Sequence, residues 1–209
     1  MSTEPERTFV ADLVSYFAQK PEVRTATFAF LYSSVSQTHD LFLGVEHTGE
    51  LEGLKAMALF IKNAYLPESP MFFASSEEDP DTYALVQEQG LAFYSQQEDL
   101  AVAQKALECL FGTATDAELR DTVRAHGVYA LVHEAQLAEK KLVVQSFAKE
   151  EGPFTPLFSS PQLAAAGGLA APPAGLALAR LVWGQHLAGA APRPVVLNPD
   201  TPFAVAFEL

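Results

Sequence analysis

Five histidines and one cysteine are the side chains of this 209-residue sequence best suited to catalysis or metal binding. His133 and Glu134 begin like the zinc-protease motif H-E-x-x-H, but Leu137 occupies the position of the second histidine. The sequence has no glycine-rich phosphate loop with a following Lys and Ser or Thr, no G-x-S-x-G elbow and no C-x-x-C pair. We therefore expect no catalytic residue, no bound metal and no cofactor.

The cysteine, Cys109, lies toward the C-terminal end of a predicted helix and beside Glu108. A nucleophilic cysteine needs a lowered pKa, which usually comes from a helix N-terminus or a neighbouring cation. We therefore interpret Cys109 as a small buried hydrophobic residue. A single cysteine also excludes an internal disulfide, so the chain does not require an oxidising compartment.

Four carboxylates lie close together before a predicted helix: Glu77, Glu78, Asp79 and Asp81. A calcium loop of the EF-hand type would need a central glycine and a terminal glutamate, whereas Pro80 stands in the middle of this segment. Asp79 can cap the helix that begins at Pro80. Two interpretations remain, a solvated helix start and a surface that binds a basic partner.

A second candidate site is the turn formed by Phe158, Ser159 and Ser160, which could present hydroxyls and a ring to a ligand. In the structural alternative Ser160 caps a helix whose first residue is proline, and Phe158 packs inward. If the two halves of the chain enclose a pocket, we expect His133, Ser159 and Asn198 to line it, because domain junctions favour pockets.

The amino-acid composition limits the classes of partner that the chain can bind. Hydrophobic residues make up 49% of the chain, enough for a buried core. Its 13 Lys and Arg against 26 Asp and Glu give a net charge of −13, which repels a phosphate backbone and argues against nucleic acid. The acidic N-terminus is unlike a secretory signal, and the sequence has no apolar run suited to crossing a membrane. We expect a cytoplasmic protein.

Helical and β-type patterns alternate along the chain and predict an α/β (α+β) fold of two small sandwiches, each a mixed sheet with helices packed on it. We place the boundary in the polar stretch 96–99, giving domains 1–97 and 98–209. Runs at 23–32 and 41–45 predict a hairpin. The other predicted strands are short apolar runs: 71–74, 91–94, 128–133, 142–147, 154–158, 194–197 and 203–207.

Helix starts have the clearest local signals. Thr3 with Glu6, and Thr115 with Glu118, form the spacing of a capping box, in which two side chains satisfy two backbone N–H groups. The run 176–187 is apolar almost all round, which predicts a buried helix.

Four phrases resemble the bacterial SseB family, named for enhanced serine sensitivity. GPFTPLFSSP at 152–161 and VVLNP at 195–199 are similar to its amino-terminal domain, although Ser159 stands where the family usually has Thr. KPEVRTA at 20–26 and LFLGVE at 41–46 are similar to its carboxy-terminal domain. The resemblance implies two small α/β domains in inverted order, in bacterial proteins with interaction or regulatory roles, and it supplies no catalytic residue.

The lack of catalytic motifs and the net charge together favour a non-enzymatic protein that binds another protein. Acidic inhibitors use complementary potential to speed association with cationic targets. The concrete forms are an immunity protein that blocks a basic toxin and an accessory factor of a secretion system. The alternative is an enzyme or small-ligand regulator with a pocket between the two domains.

Overall fold

Two mixed β-sheets form the framework of the computed structural model, one in residues 1–100 (unit 1) and one in residues 101–209 (unit 2). Helices pack on both sheets, so the fold is α+β, as the sequence predicts. The predicted capping box at residues 3–6 lies outside the described part of the chain. That part comprises residues 9–34, 37–65, 71–138, 142–149, 152–186 and 193–209.

Unit 1 contains three helices and four strands within its described residues. The sheet order is β3-β2-β1-β4, with β2 and β3 parallel and the other pairs antiparallel. The predicted hairpin is confirmed, and its pairing extends to Ser33 opposite Thr38. In chain order the elements are α1 (Phe9–Ala18), β1 (Val23–Ser33), β2 (Thr38–His47), α2 (Leu51–Tyr65), β3 (Met71–Ala74), α3 (Pro80–Gln89) and β4 (Leu91–Ser95).

Aromatic rings fill the core on one face of this sheet. Phe28 on β1 and Phe93 on β4 are fully buried and stack with 4.6 Å between their ring centroids. Phe17 of α1 lies 6.1 Å from Phe93, and the Tyr94 hydroxyl donates to the Phe17 carbonyl at 3.2 Å. Burial of each such side chain contributes about 1.5–3 kcal/mol, so α1 is held firmly against β4.

The opposite face of the sheet is covered by α3. Ala29 follows Phe28 in β1 and therefore points the other way. There it forms a small buried cluster with Ala74 and Val86, and Val86 belongs to α3. Unit 1 thus has helices on both faces.

Unit 2 contains the remaining five helices and six strands of the described residues. Its sheet order is β10-β9-β7-β5-β8, and β6 also pairs with β7. Only β7 and β9 are parallel. The elements are α4 (Ala101–Leu110), α5 (Asp116–Ala125), β5 (Gly127–His133), α6 (Glu134–Ala138), β6 (Phe147–Lys149), β7 (Gly152–Phe158), α7 (Pro161–Ala166), β8 (Leu176–Val182), α8 (Trp183–His186), β9 (Pro194–Leu197) and β10 (Val205–Glu208).

The core of unit 2 lies between α5 and β5. Val128, Ala130 and Val132 alternate along β5 onto one face, where they form one buried cluster with Leu119 and Val123 of α5. The predicted capping box at the start of α5 is confirmed. The Glu118 N–H donates to Thr115 Oγ1 at 3.3 Å, and the Thr115 N–H donates to Glu118 Oε2 at 2.8 Å.

The helix predicted at 176–187 is wrong. Residues Leu176–Val182 form strand β8, and within the described part of this run only Trp183–His186 are helical, residue 187 lying outside it. β8 pairs with β5 along its whole length, from Gly127 opposite Val182 to His133 opposite Leu176. A short apolar run fits helix and strand alike, and here the backbone partner supplied by β5 decides.

Two strand predictions are also displaced. At 142–147 Val144 forms an isolated bridge with Val132, and the regular strand β6 begins at Phe147. The strand predicted at 203–207 begins instead at Val205. Its start is delayed because the turn that leaves β9 is long and includes two residues with positive φ, Asn198 and Asp200.

Gly90, between α3 and β4, provides a test of this packing. A Cβ at residue 90 would lie 2.5 Å from Thr27 Cγ2 and 2.6 Å from the Phe28 carbonyl oxygen. Backbone atoms cannot give way cheaply, so we expect Gly90→Ala to lower the free energy of unfolding by about 2 kcal/mol in urea titration. The matched control is Gly53→Ala in α2, where a Cβ would meet nothing within 4 Å. It should raise stability by about 0.5–1 kcal/mol, and equal effects of the two changes would contradict the packing.

Candidate functional site

The predicted acidic cluster forms the turn between β3 and α3. Buried Ser75 organises it: the Glu78 N–H donates to Ser75 Oγ at 3.2 Å, and the Asp79 N–H donates to the Ser75 carbonyl at 3.2 Å. All four carboxylates, Glu77, Glu78, Asp79 and Asp81, lie on residues exposed to solvent. We call residues 75–81 the acidic turn.

Two of these carboxylates have structural roles. Asp79 caps α3, because its Oδ1 accepts a hydrogen bond from the Thr82 N–H at 3.1 Å, as the sequence predicts. Hydrogen bonding to the Thr82 side chain and backbone lowers the pKa of Asp79. Glu78 pairs with Lys55 of α2 at 3.0 Å, and this contact raises the pKa of Lys55. Within the described residues, Glu77 and Asp81 form no ion pair.

Ser159 and Asn198 meet where β7 and β9 end. Asn198 is fully buried, and its Oδ1 accepts hydrogen bonds from the Ser159 N–H at 2.9 Å and the Ser159 hydroxyl at 3.1 Å. The Asn198 N–H donates to the Leu157 carbonyl at 2.7 Å, and its own carbonyl accepts from Thr201 Oγ1 at 2.8 Å. We call this arrangement the Ser–Asn latch.

The hydrogen bonds of the Ser–Asn latch hold the fold and do not activate Ser159 as a nucleophile. A serine nucleophile needs a base that takes its proton, and an amide oxygen is far too weak a base to do so. Asn198 Nδ2 is buried without a hydrogen-bond partner in the described part of the chain. Asn198 also has a φ of 51°, in the left-handed region that Asn tolerates better than most residues.

The other residues of the predicted turn also have local structural roles. Ser160 Oγ accepts the Leu163 N–H at 3.2 Å and caps α7, whose first residue is Pro161. Phe158 is fully buried. The structural alternative for Phe158 and Ser160 is therefore confirmed.

The structure does not bring His133 to the Ser–Asn latch. β5 and β7 are antiparallel, with Tyr129 opposite Phe158. His133 lies four residues further along β5, roughly 13 Å from that pair at about 3.3 Å per residue. In the described ranges, no three His, Cys, Asp or Glu side chains are grouped so as to hold a metal ion.

Cys109 is half-buried rather than fully buried. It packs against the core of unit 2, and its Sγ lies 3.6 Å from the Thr115 carbonyl. Burial, and next the nearby Asp116 carboxylate, raise the pKa of the thiol to about 11. At neutral pH the residue is a thiol and not a nucleophilic thiolate.

The rings of Phe42 and Phe72 form a partly exposed aromatic row on unit 1, which the sequence did not predict as a site. Phe42 of β2 lies opposite Ala29 of β1 and Phe72 of β3, and the two phenyl rings stack at 5.2 Å. Phe72 is 47% exposed although it belongs to a strand. The sequence Met-Phe-Phe-Ala is uniformly apolar and predicts burial, so it gives no sign that one ring faces solvent.

These features define a class: a two-unit α+β protein with an acidic turn and an exposed aromatic row on unit 1, and a structural latch on unit 2. Comparison of the chain with models of known protein families, with curated proteins and with solved structures finds no match. Function therefore has to be argued from the residues themselves.

The latch can be tested by substitution. We expect Asn198→Ala to lower the free energy of unfolding by about 3 kcal/mol, because it orphans the Ser159 N–H and forces alanine into the left-handed region. Asn198→Gly removes the same hydrogen bonds without that strain and should cost about 1 kcal/mol less. Urea denaturation measures both. Equal losses would show that the backbone conformation contributes nothing.

Cys109 can be tested by its reactivity. Its thiol pKa of about 11 lies above the ordinary 9.0, so at pH 8 much less thiolate forms in the folded chain than in the unfolded chain. We expect alkylation by iodoacetamide to be at least tenfold slower in the native protein than in urea, given about tenfold per pKa unit. Equal rates would contradict this burial.

The same shift predicts a pH dependence of stability. The unfolded chain loses the thiol proton near pH 9.0 and the folded chain only near pH 11. The contribution of the protonated thiol to the free energy of unfolding is therefore complete below pH 9.0 and is lost as the pH rises through 11. Cys109→Ala should flatten the fall in stability over this window. Buried tyrosines contribute equally to both proteins, so the comparison isolates the thiol.

Proposed function

We propose that this chain is a non-enzymatic protein-binding protein whose partner presents a basic surface. The observation that carries the proposal is the division of charge. Residues 1–100 contain 16 Asp and Glu against 5 Lys and Arg, a net charge of −11, whereas residues 101–209 contain 10 against 8, a net charge of −2. A negative potential of this kind accelerates encounter with a cationic protein.

Few basic side chains offset the negative charge of unit 1. Arg24 lies 3.9 Å from Glu46, and Lys55 bridges Glu52 at 3.7 Å and Glu78 at 3.0 Å. Such exposed pairs are weak and leave most carboxylates available to a partner.

Within the acidic turn the proposal assigns partner contact to Glu77 and Asp81. Asp79 caps α3 and Glu78 binds Lys55, so reversing their charge would disturb the fold as well as any interface. Glu77 and Asp81 are exposed, and in the described part of the chain neither carboxylate takes part in an ion pair. They are the positions to change in an experiment.

We further propose that the two units are SseB-like domains in inverted order. In support, the phrases at 152–161 and 195–199 supply β7 and β9, which pair in parallel, and the Ser–Asn latch joins their ends. The two phrases of unit 2 that carry the resemblance thus form one local structure. The proposal includes a bacterial cytoplasmic location and, as concrete roles, an immunity protein or a secretion-system accessory factor.

The test is capture followed by reconstitution. The full chain is immobilised and exposed to a lysate of its native host at low and at high salt. The captured protein is then purified, and its binding to the full chain is measured by titration. We expect a stoichiometric partner whose association rate falls steeply with ionic strength. Absence of such a partner, together with a metabolite that raises the melting temperature, would contradict the proposal in favour of an enzyme or ligand regulator.

Charge reversal locates the contact. We expect Glu77→Lys with Asp81→Lys to slow association about fivefold and to flatten its salt dependence. The control is Glu134→Lys with Glu208→Lys, which makes the same change in net charge on exposed residues of unit 2. It should change the rate much less. Equal effects of the two pairs would remove the acidic turn from the interface.

A further inference from the structure

The outer edge of β3 is open within the described residues. β3 has four residues, pairs with β2 on one side and is a terminal strand of the sheet. Natural edge strands are usually protected by short length, lysine, proline or a bulge, and of these β3 has only its short length. β3 contains no lysine and no proline, and its pairing with β2 has no register shift.

An apolar anchor lies on this edge. Among the described residues, two strongly exposed large apolar side chains belong to strands, Tyr32 on β1 and Phe72 on β3. Tyr32 is on an interior strand and contacts His39. Phe72 is on the edge, and its ring stacks on Phe42, so it is held in place for a neighbour. A strand added beside β3 would place a side chain about 5 Å from it.

Carboxylates lie on the strand beside this anchor and in the turn that follows β3. Asp40 precedes Phe42 by two residues in β2 and therefore lies on the same face of the sheet. At the other end of β3 the chain enters the acidic turn, with Glu77 and Asp81. The edge thus combines an apolar side chain with negative charge, which complements a segment that combines apolar residues with lysine or arginine.

We infer that the outer edge of β3 binds an extended segment of a partner protein in which apolar and basic residues alternate. The inference rests on the proposed function and names the segment that the partner contributes. Backbone hydrogen bonds to β3 give the pairing, as in other cases of strand addition. Four residues span only about 13 Å, so Phe72 and the carboxylates must supply much of the affinity.

Charge disfavours a second copy of this chain as the occupant. Each copy has a net charge of −13, and pairing two β3 edges would bring two acidic turns into one interface. Like charges juxtaposed across an interface oppose association. A basic partner has no such conflict.

The test uses a fluorescein-labelled peptide of alternating Val and Lys residues and the full chain. We expect saturable binding by fluorescence anisotropy, and slower amide hydrogen exchange at residues 71–74 when the peptide is bound. The same peptide with every backbone nitrogen methylated should bind at least tenfold more weakly, because it cannot donate to a strand. A peptide with Glu in place of Lys should not bind.

Two variants test whether the peptide binds at the outer edge of β3. Phe72→Thr keeps a strand-forming residue and should weaken binding at least fivefold, whereas Leu59→Gln removes a more exposed apolar side chain from α2 and should leave it unchanged. Unfolding of Phe72→Thr is checked by circular dichroism. The exchange measurement on the unmodified chain needs no variant.

The inference would be overturned by no binding, by protection outside β3, or by equal binding of the methylated peptide. Protein dimers that dissociate on Phe72→Thr would assign the edge to a second copy instead. The proposed function fails separately. If the captured partner binds Phe72→Thr with unchanged affinity, the inference about the β3 edge is wrong and the proposed protein-binding role stands. If no partner is captured, the proposed protein-binding role itself is wrong.

Discussion

The packing of α3 on one face of the unit 1 sheet decides which side chains of that face are buried among the described residues. α3 has ten residues and is about 15 Å long, whereas β1 has eleven residues and is about 35 Å long. Val86 seals the middle of the face against Ala29 and Ala74. Phe42 packs against this cluster but is only partly buried, and Phe72, on the terminal strand, is exposed. The exposed Phe72 ring, on which the inference about the edge of β3 depends, therefore lies where this face of the sheet is incompletely covered.

Unit 2 uses its polar groups differently. In the Ser–Asn latch, the buried Asn198 amide oxygen accepts hydrogen bonds from Ser159 and so joins the end of β7 to the turn after β9. Burial and nearby carboxylates keep Cys109 a neutral thiol. Groups that resemble catalytic residues in the sequence are here occupied in holding the fold. Under the proposed function, unit 2 is a scaffold and unit 1 presents the contact surface.

Local signals in the sequence predicted much of this structure. The caps at Asp79, Thr115 and Ser160 were predictable because each is formed by residues three positions apart. The overall α+β class followed from the alternation of patterns. The 176–187 run was misread because whether it forms a strand depends on β5, a partner distant in the chain, and no local pattern encodes that pairing.

The candidate sites divide in the same way. The acidic turn was predicted from composition, but the use of Glu78 as a partner of Lys55 depends on how α2 packs. The meeting of Ser159 with Asn198 joins residues 39 positions apart. Exposure of Phe72 follows from the place of β3 at the end of the sheet, which is a property of the assembled topology.

The unequal charge of the two units makes their attraction to a cation unequal. A cationic surface at about a Debye length, ~10 Å in dilute salt, attracts the carboxylates of unit 1 more strongly than those of unit 2. Encounters with such a surface are therefore concentrated on unit 1, and fewer random collisions precede the contact of the right side chains.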